Sequence, residues 1–191
     1  MTASTMFPRS AADRCDEALR IAALTEPIVA LLDELAQVVA SLDARQYAQK
    51  PVGVMPSSVG GHVRHSLDHV RALLASTATG ELNYDHRDRG TRIESDPQAA
   101  LEEIAALTAQ LRRVPPSCCE MTLSLSMKLM ADRDALMFTT TFPREAGYVL
   151  SHTIHHNAII GAMVRTLGGT PAATFGYAPA TLAYRSATCA R

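Results

Sequence analysis

His152 and His156 stand four residues apart in Ser151-His152-Thr153-Ile154-His155-His156. Much earlier, His62, His65 and His69 stand at spacings of three and four in Gly61-His62-Val63-Arg64-His65-Ser66-Leu67-Asp68-His69. On an α-helix each set leaves one face of the cylinder, a turn apart. Six of the seven histidines of the chain fall in these two stretches. For the two sets to act together, the two helices must lie side by side, as around a metal site between the helices of a bundle.

The rest of the chain supplies helices for such a bundle. From about Cys15 to Leu42, apolar residues including Leu19, Ile28, Leu32, Leu35 and Val39 recur at helical spacing. Pro27 falls inside that span, which predicts either two helices or one kinked helix. Tyr47 to Pro56 reads as a connector. Ser57 or Ser58 then caps a second helix running to about Ala75, with Val59, Val63, Val70, Leu73 and Leu74 on one side. A helical wheel sets His62, His65 and His69 at the edge of that apolar face and puts Arg64, Asp68 and Arg71 on the far side. Gly80 to Asp96 reads as a long polar loop. Asp96-Pro97 starts a third helix, which stops before Pro115-Pro116. Residues 121–129 alternate apolar and polar, and with Leu136 to Phe142 they predict a short hairpin. Pro143 opens the last long helix, which carries His152 and His156, and Gly168-Gly169 ends it. The expected architecture is therefore mainly all-α: a four-helix bundle with a small β-hairpin inserted before the last long helix. It forms one domain over residues 1–191, with a flexible tail over 1–14 and a C-terminal tail over 170–191 that ends in a short helix.

Bulk properties narrow the function classes. A chain of 191 residues is long enough to bury roughly 70% of its unfolded surface without staples. Its net charge of −1 gives no whole-protein field to attract nucleic acid or an anionic membrane. Cys15, Cys118, Cys119 and Cys189 form no CxxC pair and no regular disulfide framework, so reduced thiols are expected. Met1 to Pro8 lacks the apolar stretch of a signal peptide, and no run is long enough for a membrane span. A soluble, cytoplasmic protein acting on a small molecule is the expectation.

A metal site needs about three ligands converging at roughly 2.0–2.1 Å. The His152/His156 pair offers two from one helix face, and the stripe from His62 to His69 offers candidates for the third. A carboxylate-bridged di-iron site is excluded, because no Glu-x-x-His occurs in the chain. Asp68, one turn beyond His65, reads as an exposed helix carboxylate. Arg87, Arg89 and Arg92 offer cations to an anionic substrate, although a solvated charged loop is the ordinary reading.

The segments Ser58-Val59-Gly60-Gly61-His62-Val63-Arg64-His65 and His152-Thr153-Ile154-His155-His156-Asn157-Ala158-Ile159-Ile160 together resemble the DinB/YfiT-like superfamily. That resemblance implies a four-helix bundle with a His…His-x3-His metal triad, its first ligand at His65 and the others at His152 and His156. His62, His69 and His155 are then surplus, as outer partners or alternative ligands, and Tyr148 stands one turn before His152, within reach of an open metal position. The late motif departs from the commoner family form, which continues Arg-Gly-Gln after its last histidine. The resemblance further implies a divalent metal, zinc or nickel, a low-molecular-weight thiol such as bacillithiol or mycothiol, thiol-dependent transfer or conjugation chemistry, and a homodimer. A metal-dependent hydrolase and a non-catalytic, stress-related metal-binding or interaction protein are the rival expectations.

Overall fold

The computed structural model describes residues 11–51 and 56–189. The expected N-terminal tail falls outside these residues as far as residue 10, as do the middle of the Tyr47–Pro56 connector and the last two residues. The helix placed at about Cys15 already begins at Ala11.

Among the described residues four long helices form the bundle: α1 (Ala11–Ala40), α3 (Val59–Thr79), α4 (Pro97–Leu111) and α5 (Phe142–Thr166). α1 packs on α4 and α5, and α3 packs on the same two, so the order around the bundle is α1, α5, α3, α4. α1 runs unbroken through Pro27 as a single helix of 30 residues. Its face of Ile28, Leu32, Leu35 and Val39, each 0% exposed, meets Val59, Val63, Leu67 and Val70 of α3 in the common core. A short helix, α2 (Ala44–Ala48), follows α1. It is closed at its start by a capping box, with Asp43 Oδ1 accepting from the Gln46 N–H and Gln46 Oε1 accepting from the Asp43 N–H.

The start of α3 is held tightly. Ser58 caps it by accepting from the Gly61 N–H at 3.1 Å. A side chain at Gly60 would collide with the Glu94 carbonyl oxygen and with the Tyr47 ring, whose hydroxyl donates to the Ile93 carbonyl at 2.7 Å. The glycine thus lets the 92–94 turn lie directly on the helix that carries the first histidine stripe. α3 continues to Thr79, four residues beyond the expected end, where Gly80 at φ 72° closes it.

The expected hairpin is present as β2 (Thr122–Met127) and β3 (Leu136–Thr141), with Leu125 opposite Phe138. A third strand, β1 (Glu81–Asn83), joins it in parallel on the other side of β2, inside the stretch read from sequence as loop. β1 and the residue after it deliver Leu82 and Tyr84, 2% and 5% exposed, into the core. Three residues are too few to display a strand period, and their pairing partner lies some forty residues later. α4 begins as expected, with Asp96 Oδ1 accepting from the Gln98 and Ala99 N–H groups. Thr141 caps α5, and Gly168 at φ 84° follows its end. A last helix, α6 (Pro179–Cys189), closes the described chain. Among the described residues no helix is long and apolar enough to cross a membrane.

A histidine cluster between α3 and α5

The packing of α3 against α5 brings the two stripes together. His65 Nε2 lies 3.1 Å from His152 Nε2, and His62 Nδ1 lies 3.1 Å from His156 Nδ1. His69 stacks on His152 with ring centroids 3.9 Å apart. The ring of His156 lies 4.5 Å from both His65 and His152. His65, His69 and His152 each offer a ring nitrogen such that all three lie within 4.8 Å of one another. The group that converges most tightly here thus takes His69 beside His65 and His152, while His156 turns its Nδ1 to His62. His155 is exposed, with its ring 6.5 Å from that of His152. Tyr148 lies alongside His152 at 5.7 Å.

Burial and mutual repulsion hold these imidazoles neutral. Desolvation pushes His65 down to about 2, with His156 and His69 adding to the effect. It pushes His152 down to about 4 and His156 to about 3, again with neighbouring imidazoles as the second cause. His62 and His69 are lowered for the same first reason. Each neutral imidazole brings one N–H and one lone pair, and twice these nitrogens meet one another across the α3–α5 seam at 3.1 Å. His62 Nε2 is in addition buried with no hydrogen-bond partner. His69 Nδ1 lies 3.0 Å from the His65 carbonyl oxygen, so it carries the proton and leaves Nε2 free as a donor atom. This donor set could hold a metal ion.

Two expectations about neighbouring groups are corrected. Asp68 is not an exposed carboxylate: it is 8% exposed and clamped by Arg64 at 2.7 Å and Arg71 at 2.6 Å. Its helix face is covered by the 92–94 turn and by α4, from which Glu94 and Glu103 complete the ion pairs. Arg87 is not a solvated loop cation, because its Nη1 reaches His65 Nδ1 at 3.0 Å.

The sequence reading also passed over a polar group behind the cluster. Glu145 is 0% exposed and accepts from the Tyr84 hydroxyl at 2.9 Å, the Thr140 hydroxyl at 2.8 Å and the Arg144 guanidinium at 2.7 Å. Tyr84 stacks on His69 at 4.9 Å, and Tyr148 lies 5.1 Å from Tyr84. Burial, followed by the Glu145 charge, raises the Tyr84 and Tyr148 hydroxyls, so both stay protonated. The one signal available was that Glu145 stands on the same helix as His152, seven residues earlier. Tyr84 offers none, since it follows a three-residue strand too short to read from sequence.

No family model matches the chain and no solved structure matches it. A curated protein of Rhizopus delemar, FK506-binding protein 5, is 35% identical over 113 residues, which is 59% of this chain. The match spans 29% of that protein's length.

Proposed function

We propose that the chain binds one divalent metal at the α3–α5 histidine cluster and uses it in thiol-dependent transfer or conjugation, as the DinB/YfiT-like resemblance implies. The observation that carries the proposal is the convergence of neutral His65, His69 and His152 nitrogens within 4.8 Å. His65 and His152 hold the ion in this reading, with His69 or His156 as third ligand. When bound, a zinc or nickel ion with three neutral ligands keeps its full double charge and holds a small thiol as its thiolate.

The chain's own residues shape what such a site can do. His65 and His152 are partly exposed whereas His69 and His156 are buried, which leaves the approach to the cluster on the His65–His152 side. Tyr84 and Tyr148 form an aromatic wall on which His69 and His152 rest, fixing the ring planes. Glu145 is fully engaged by its three donors and so is not free to serve as the general base of a hydrolase. That observation favours transfer over hydrolysis.

The test is cobalt substitution. Addition of a small thiol at pH 8 should give a sulfur-to-metal charge-transfer band that is missing in His152→Ala. Full cobalt loading with no response to millimolar thiol would contradict the transfer reading and leave a non-catalytic metal-binding protein as the better account. The proposal includes a homodimer, supported by the exposure of Leu136 (52%) and Met137 (64%) on the outer strand β3. Light scattering at micromolar concentration that returns a 20.5 kDa species would contradict it.

A further inference from the structure

Arg87 is a partly buried cation set against the histidine cluster. Its Nε donates to the Tyr84 carbonyl at 3.0 Å, and its Nη1 meets His65 Nδ1 at 3.0 Å. Among the described residues no carboxylate oxygen lies within ion-pair distance of it, whereas Arg64, Arg71, Arg92 and Arg144 each meet one. A guanidinium can only donate, so His65 Nδ1 accepts and the proton of neutral His65 sits on Nε2, towards His152. Ligation of a metal through that Nε2 needs the opposite tautomer, with the proton on Nδ1. Two N–H groups cannot share one hydrogen bond. Metal loading therefore turns the guanidinium away from His65 and leaves it with the Tyr84 carbonyl alone, beside a second positive charge.

The space on the far side of Arg87 is shaped for what such a cation needs. Arg87 lines a groove of about 340 Å³ with His86, Lys128 and Asp85, between the loop after β1 and the end of β2. The Asp85 carboxylate at the groove's edge accepts from the Lys128 backbone N–H at 2.7 Å, which ties loop to hairpin and fixes Lys128 beside Arg87. The volume suits a small molecule rather than a macromolecule.

We infer that Arg87, assisted by Lys128, forms an anion-binding subsite beside the cluster, which selects a small carboxylate-bearing ligand whose other end reaches the metal. The inference rests on the metal reading above and narrows its substrate class to anionic thiols. It also couples the two events, since loading the metal releases the guanidinium that takes the carboxylate.

The test compares 3-mercaptopropionate with 2-mercaptoethanol on the cobalt-loaded protein, in the wild type, Arg87→Met and Arg87→Lys, by visible titration. Circular dichroism and cobalt content verify that each variant is folded and loaded. The wild type should favour the carboxylate thiol by about tenfold or more, the scale of one charge-assisted hydrogen bond. Arg87→Met should bring the two thiols to within about twofold, and Arg87→Lys should keep part of the preference. An equal preference in wild type and Arg87→Met, or none in the wild type, would overturn the inference. If neither thiol perturbs cobalt, the thiol chemistry has failed and calorimetry with succinate decides the subsite alone. Succinate binding that is lost in Arg87→Met supports it, and binding that is absent or unchanged overturns it.

Discussion

At the scale of residues, the cluster makes two predictions that separate its members. If His69 completes the ligand set, His69→Ala should weaken zinc binding more than about a hundredfold, beyond what loss of an outer partner causes, while His156→Ala should stay within that range. The reverse order would assign the third ligand to His156, and competition with a chromophoric chelator reads either. The second prediction concerns acid. These histidines have folded values below the ordinary value of about 6.5, so between the two the unfolded chain binds protons that the folded chain does not. Stability of the metal-free protein is therefore full above about pH 6.5 and is lost as pH falls towards the folded values of about 4 for His152 and about 3 for His156. The loss is at most about 1.4 kcal/mol per pH unit for each imidazole that stays neutral. Urea unfolding at pH 7.5 and pH 5.0 should show the lower stability at pH 5.0, and equal midpoints would contradict the burial of the cluster. The same values carry proton competition for the metal below the window near pH 6.5 expected of an unperturbed imidazole.

At the scale of elements, the Tyr84–Glu145 contact ties the end of β1 and the loop after it to α5 behind the cluster. Tyr84→Phe removes the donor to Glu145 Oε2 at 2.9 Å and leaves a buried carboxylate oxygen short of a partner. The expected cost is about 1–3 kcal/mol, measured by chemical denaturation. A change within experimental error would show that Thr140 and Arg144 suffice. What the sequence disclosed at this scale follows from period and caps. α4 is legible from Asp96-Pro97, α5 from Pro143 and Gly168, and β2 from the alternation of Leu123 and Leu125 with serines. α2 and β1 are not, because five and three residues are shorter than the periods that reveal helix and strand. Asp68 was misjudged for a related reason. A helical wheel locates the core but cannot tell that the opposite face is covered by a turn from residues 92–94 carrying Glu94. The two histidine stripes were legible in full as helix faces, whereas the register at which α3 meets α5, which decides between His69 and His156, depends on packing that spacing alone does not encode.

At the scale of the whole molecule, the cluster sits on the seam between α3 and α5, so any ion held there cross-links two of the four helices. Anything bound by the folded chain and not the unfolded one stabilises it, by about 2.7 kcal/mol at a free concentration a hundred times the dissociation constant. Saturating zinc should raise the thermal midpoint of the wild type and leave that of a His65→Ala/His152→Ala double variant where it was. A midpoint in the wild type that is indifferent to zinc would argue that the ion binds elsewhere or not at all. The central claim, that the cluster is a metal centre, is tested most directly by metal analysis after equilibrium dialysis against zinc or nickel. The account predicts one ion per chain in the wild type and close to none in the His65→Ala/His152→Ala variant. A wild type that retains no ion, or a double variant that retains its full complement, would contradict it.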